Sequence, residues 1–175
     1  MSCNFASATF DNFMDLSIEV PRKTFGSVSL SDCMKSTFTS ERMVKTGYKC
    51  ENCKKEVDIE KDMSIYRLPK VLVVHLKRFY HSFTSREKIS TSIKIPPESL
   101  EMAHFAPHSG HNTLGNSRYK LYGISHHMGG LSGGHYTCDV LNVKTGKWYH
   151  CDDSSVSSIT GPSSSSSSAY VLFYV

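Results

Sequence analysis

Apolar positions along this chain follow two periods. Between residues 27 and 38 they fall at Leu30, Cys33, Met34 and Phe38, three or four apart, which predicts one amphipathic helix capped by Ser29 or Ser31. Elsewhere the period is two, or the apolar run is continuous. Residues 10–20 mix apolar and polar positions up to Pro21 and predict an extended segment. Val57, Ile59 and Ile65 predict a strand that Leu68-Pro69 ends. Residues 70–79 are β-branched and aromatic, as in a buried strand, and Ile89, Thr91, Ile93 and Ile95 share one face of another. Further strands are expected at 119–124, 135–143, 147–152 and 169–174, joined by glycine-containing turns. Residues 103–117 and the serine tract 163–168 read as surface loops, the tract without chemistry. The expected class is α+β, antiparallel and β-rich, with a single substantial helix.

Composition narrows this little. A chain of 175 residues suffices for one domain. The longest apolar run, Val71-Leu72-Val73-Val74, is far short of the roughly 20 residues that cross a bilayer. The start, Met1-Ser2-Cys3-Asn4-Phe5, has neither the basic nor the apolar region of a signal peptide. No membrane association is expected, and an intracellular location is. The net charge of +4 is scattered, with Lys54-Lys55 and Lys77-Arg78 as short exceptions, so nucleic acid is not an expected partner.

Candidate chemistry gathers in three places. Gly133-Gly134-His135-Tyr136-Thr137 is followed by Trp148-Tyr149-His150-Cys151-Asp152-Asp153. A histidine that acts as a general base needs a partner to fix its tautomer and stabilise the imidazolium. If the intervening turn centres between Lys144 and Thr145, His135 lies opposite residue 154. Asp152 is then its diagonal neighbour on the same face, Asp153 points away, and a bulge would exchange the two. Taken alone, His135 is one of nine histidines and could merely end a turn. The second place is Cys50-Glu51-Asn52-Cys53, a zinc half-site by spacing, with Cys3 a plausible third ligand. Redox chemistry competes with that reading, but its usual βαβ setting is missing. The third is residues 129–134, with four glycines in six positions: a sharp turn that could gate a cleft, or an ordinary connection.

In chain order these segments resemble the ubiquitin-specific proteases. Residues 68–79 (LPKVLVVHLKRF) are similar to that family's core strand, and residues 119–137 to its histidine box. Residues 148–155 and 169–174 resemble its closing segments. The resemblance implies the palm and fingers part of a papain-like catalytic domain, with fingers over 1–56 and the β-rich palm over 57–175. It implies thiol-dependent hydrolysis after the C-terminal glycine of ubiquitin, with ubiquitin and ubiquitinated proteins as partners. His135 would be the base and Asp152 the third member of a Cys-His-Asp triad. Gly133, Gly134, Tyr136 and His127 would line the cleft for ubiquitin's tail, and the loop at 80–88 would also face ubiquitin.

Two departures from the family stand out. Its nucleophile lies in an upstream Asn-Thr/Ser-Cys box that these residues do not contain, and Cys33, Cys138 and Cys151 are poor substitutes. Its zinc ribbon has four cysteines, whereas Ala6 takes one of those places and leaves Cys3, Cys50 and Cys53. A degraded ribbon with weak or absent structural zinc is expected, and no cofactor for catalysis. The expected function is a cysteine-type deubiquitinase whose 175 residues alone are inactive. The alternatives are an inactive module that grips ubiquitin or a partner, and a zinc-ribbon interaction domain.

Overall fold

The computed structural model describes residues 3–23, 25–81, 86–107 and 117–175. The strands in chain order are β1 (Leu16–Glu19) and β2 (Ser27–Ser29), then, after helix α1 (Leu30–Thr37), β3 (Glu41–Met43), β4 (Ile59–Lys61) and β5 (Leu72–Lys77). Next come β6 (Phe79–His81), β7 (Arg86–Lys88), β8 (Ser92–Lys94), β9 (Leu100–Glu101), a 3-10 turn (Ala103–Phe105) and β10 (Arg118–Tyr119). The chain closes with β11 (Leu121–Gly130), β12 (Gly133–Asn142), β13 (Lys147–Asp152), β14 (Ser155–Ile159), β15 (Ser165–Ser166) and β16 (Ala169–Tyr174).

One seven-stranded sheet, ordered β1-β5-β16-β11-β12-β13-β14, forms the frame. Its central strands owe their place to alternation: Leu72, Val74 and Leu76 of β5 and Leu172 and Tyr174 of β16 are buried, while Val73 and His75 are only half-buried. α1 covers part of the buried face. Ser29 caps it by accepting from the Asp32 N–H at 3.0 Å and donating to the Asp32 carboxylate at 2.7 Å. Leu30, Cys33 and Met34 turn inward, as the spacing predicts. Among the described residues this is the only α-helix, and no helix there is long and apolar enough to cross a membrane.

The fold is β-rich and mainly antiparallel, as expected, with two parallel joins, β1 to β5 and β2 to β8. Three expectations need correction. Residues 88–95 do not form one strand. Thr91, Ile93 and Ile95 are buried as their alternation predicts, but pairing is confined to β7 and β8. Residues 119–124 are likewise split, with Tyr119 on β10 and Leu121 opening β11. The serine tract is structural: β15 pairs with β8 and Ser166 is buried. Of the loops expected at 80–88 and 103–117, residues 82–85 and 108–116 lie outside the described residues.

The tract is held by Arg78, which follows β5 and is fully buried. Its Nε donates to the Ala169 carbonyl at 2.6 Å and its Nη2 to that of Ser166 at 3.1 Å. Nη1 donates to the carbonyls of Ile89 at 2.9 Å and Thr91 at 2.8 Å. Burial pulls the guanidinium down to about 10, which leaves it charged at neutral pH. Arg78→Met removes all four bonds and strands buried carbonyls, each costing about 1–3 kcal/mol where water does not replace the donor. The variant should lose at least ~3 kcal/mol in urea unfolding. A midpoint equal to wild type would show that the tract does not depend on this side chain.

Candidate functional site

The hairpin of β12 and β13 turns at residues 143–146, where Gly146 takes φ +68° and donates its N–H to the Asn142 carbonyl at 2.8 Å. Its ladder runs from Asn142 opposite Lys147 to Cys138 opposite Cys151. Continued in register, it sets His135 opposite residue 154, as the parity argument requires. Asp152 therefore shares a face with His135, and His135 Nε2 lies 2.5 Å from Asp152 Oδ1. Asp153 begins the turn into β14 at φ +48°. Both partners are about half exposed, with side chains 46% and 48% accessible.

Because the carboxylate accepts from Nε2–H, the neutral ring keeps its lone pair on Nδ1. The hydrogen bond from Asp152, then its charge, raises the His135 pKa above the ordinary histidine value; Asp153 adds to this and burial opposes it. The arrangement is an oriented base whose cationic form is stabilised.

Beside the pair stands the β11–β12 hairpin, closed by Gly130 opposite Gly133. Two of its glycines are sterically required. A Cβ on Gly134 would lie 2.2 Å from His127 Nε2 and 2.5 Å from the Met128 carbonyl oxygen. Gly129, at φ +99°, has no room for one beside Gly133. Gly133 itself faces open space. His127 is buried among aromatic rings, with centroids 4.7 Å from Tyr136, 5.2 Å from Phe79 and 6.0 Å from Tyr170. Burial, then the Lys88 charge, lowers its pKa, so it stays neutral; its Nδ1 is buried without a partner among the described residues. Tyr136 is largely exposed and forms the accessible edge of this cluster.

A second histidine–carboxylate system, not anticipated from the sequence, occupies the same face of the sheet one row away. Asp139 is buried and uses both oxygens: Oδ1 lies 2.7 Å from His150 Nδ1, and Oδ2 lies 3.2 Å from His126 Nε2. His126 Nδ1 meets Ser168 Oγ at 3.1 Å, and the Ser168 carbonyl accepts the His127 N–H at 2.8 Å. The signal was present in the parity of the strands, since Asp139 is in register with both Ile124 and His150, and His126 follows Ile124 by two.

The third expected cluster also converges. Sulfurs of Cys3, Cys50 and Cys53 lie within 4.8 Å of one another, with Cys3 Sγ 3.5 Å from Cys50 Sγ. The turn after Cys50 is closed by Lys54 N–H to the Cys50 carbonyl at 2.9 Å. A hydrogen bond from the Phe5 backbone, then bonds from Cys50 and Cys53, lowers the Cys3 thiol to about 7. These three thiols can hold a metal. Among the described residues no fourth cysteine, histidine or carboxylate joins them, so they do not complete a closed tetrahedral site.

None of the six cysteines is bonded to His135. Cys33 is buried on α1, Cys3, Cys50 and Cys53 meet one another, and Cys138 and Cys151 project from the opposite face of the hairpin.

A family model described as ubiquitin carboxyl-terminal hydrolase matches residues 29–174. Ubiquitin carboxyl-terminal hydrolase 15 of Bos taurus is 39% identical over 170 residues, 97% of this chain and 17% of that protein. Ubiquitin carboxyl-terminal hydrolase 2 of Gallus gallus is 36% identical over 174 residues, 98% of this chain and 47% of that protein. The chain thus spans less than half the length of these relatives. Among solved structures, a SAGA DUB module of Ubp8, Sgf11, Sus1 and Sgf73 bound to monoubiquitin matches with TM-score 0.81 and 33% identity, covering 98% of this chain and 37% of that one. The same module bound to ubiquitin aldehyde matches with TM-score 0.79 and 31% identity, covering 98% and 37%.

The geometry fixes an ionisation behaviour. In a heteronuclear NMR titration the His135 ring should have a midpoint above the ordinary histidine range, and Asp152→Asn should return it toward that range. Asp153→Asn should do so less, because Asp153 is the smallest of the causes. A raised folded-state pKa contributes stability that is fully present below the unfolded histidine pKa and is lost as pH rises through the folded value. An unshifted midpoint in the wild-type chain would refute the His135–Asp152 bond.

Proposed function

The chain belongs to the ubiquitin carboxyl-terminal hydrolase family, and on that premise we propose that it carries the base and the orienting acid of a thiol-dependent deubiquitinase. The observation that carries the reading is the 2.5 Å bond between His135 and Asp152 on adjacent strands. The reaction is hydrolysis of the isopeptide or peptide bond after the C-terminal glycine of ubiquitin. His135 Nδ1 takes the proton of an attacking cysteine thiol and later returns it to the leaving amine. Asp152 holds the ring in the Nε2–H tautomer and stabilises its cation.

Ubiquitin's tail runs beside the glycine hairpin. Gly133 and Gly134 leave the passage free of side chains, Tyr136 offers an exposed aromatic wall, and buried His127 supports that wall from below. The ubiquitin and ubiquitin aldehyde held by the related SAGA modules support ubiquitin as the partner. None of the six cysteines stands where His135 could activate it, so the nucleophile lies outside these 175 residues. A chain that binds ubiquitin without cleaving it is the corresponding reading for the isolated polypeptide.

The isolated chain should neither turn over a fluorogenic ubiquitin substrate nor be labelled by a thiol-reactive ubiquitin probe. Fused to the nucleophile-bearing segment of a relative, it should gain activity that His135→Ala reduces roughly 10²–10⁴-fold. Asp152→Ala should reduce it less. Probe labelling of the lone chain at Cys33, Cys138 or Cys151 would overturn the assignment.

Zinc is the metal we assign to Cys3, Cys50 and Cys53, held with the fourth position open. Purified chain should carry less than one zinc per molecule by atomic emission, and Ala6→Cys should raise the content and slow its loss to a chelator. Full, chelator-resistant occupancy in the unaltered chain would mean that another group completes the site.

A further inference from the structure

Cys138 and Cys151 are directly opposed on β12 and β13, so their side chains leave the same face of the sheet, away from His135 and Asp152. Opposed residues of an antiparallel pair have Cα atoms about 4.5–5.5 Å apart, inside the roughly 4.4–6.8 Å window that a disulfide spans. Both residues are half-buried and both thiols are free. No other described cysteine reaches them: Cys33 is in the core and the remaining three meet one another.

Access is uneven. Cys151 lines an open, mostly apolar depression of about 440 Å³ with Val140, Asn142, Tyr149 and Val156. Burial, then the neighbouring Cys151 sulfur, raises the Cys138 thiol, which therefore stays protonated at neutral pH. One sulfur is open to a small solute and the other is a protonated thiol in contact with it.

We propose that Cys138 and Cys151 form an oxidisable dithiol that a hydroperoxide closes to a cross-strand disulfide. The Cys151 thiolate attacks the peroxide, forming an S–O bond, breaking O–O and releasing hydroxide. The Cys138 thiol then attacks the sulfenic acid. The S–S bond forms, S–O breaks, and the departing hydroxide takes the thiol proton. In sum, two thiols and one hydrogen peroxide give one disulfide and two waters. This pair is the last rung of the ladder before His135 and Asp152. A disulfide brings Cβ atoms to about 3.5–4.5 Å, where an open antiparallel pair holds them about 4.5–5.5 Å apart, so closure tightens the strand immediately beside Asp152.

The test uses the 175-residue chain and hydrogen peroxide, followed by alkylation, trypsin and mass spectrometry. Cys138 falls on the tryptic peptide 121–144 and Cys151 on 148–175, each as its only cysteine. The expected result is a disulfide-linked pair of these two peptides, at least a tenfold loss of alkylation at both sites, and full reversal by dithiothreitol. Cys138→Ser should leave Cys151 as a sulfenic acid trapped by dimedone, with the His135 resonance reporting that the variant is folded. Closure in the wild-type chain should move that resonance. Peroxide treatment that leaves Cys138 and Cys151 alkylable while Cys3, Cys50 and Cys53 oxidise would overturn the proposal. A closed disulfide with an unmoved His135 resonance would overturn the link to the site.

Discussion

A guanidinium buried without a carboxylate organises this half of the molecule. Among the described residues the Arg78 guanidinium bonds to backbone carbonyls alone, those of Ile89, Thr91, Ser166 and Ala169. Isolated charge in an apolar interior is costly, and here the cost is offset by four acceptors drawn from two separate stretches of chain. Because a guanidinium is a rigid planar fork, those carbonyls must converge on fixed directions. The serine tract is thereby tied to the sheet at the Ser166 carbonyl, and its own hydroxyls add to the hold, Ser165 Oγ lying 2.7 Å from Ser92 Oγ. From there the constraint passes outward: Ser168 meets His126 through its hydroxyl and His127 through its carbonyl, His126 meets Asp139, and Asp139 meets His150. An unbroken set of hydrogen bonds thus joins a core residue after β5 to the strand that carries Asp152.

The elements legible in the sequence were those whose side chains state their own environment. Leu30, Cys33 and Met34 marked a helix face, and the pairing of His135 with Asp152 rather than Asp153 followed from counting across one turn. Both depend on local periodicity, which a linear reading captures. The structural role of residues 163–168 was hidden because it rests on the Ser166 carbonyl and on hydroxyls that a run of six serines does not distinguish from one another. The parallel joins of β1 to β5 and of β2 to β8 were hidden for another reason: they unite segments more than fifty residues apart, and the earlier strand of each pair is only three or four residues long. The Asp139 system lay between these cases. Its residues obey the same parity as the His135 pair, but three strands had to be aligned at once before they met.

Glycine at 134 illustrates how packing and chemistry share a residue. Its lack of a side chain lets His127 sit against the hairpin, where the ring is shielded, neutral and stacked near Tyr136. The methyl group that is missing at 134 is thus the space that this ring and the Met128 carbonyl occupy.

The tautomer that Asp152 imposes on His135 has a directional consequence. Nε2 is the outer nitrogen of an imidazole, and the carboxylate holds it. The nitrogen left free is Nδ1, bonded to the ring carbon that carries the side chain and so nearest the backbone of β12. In the proposed reaction a thiol would come down close against the strand rather than meet the ring at its tip. It would need clearance beside residues 133–135, and two of those three residues are glycine. The direction of approach is thus written into which nitrogen the aspartate occupies.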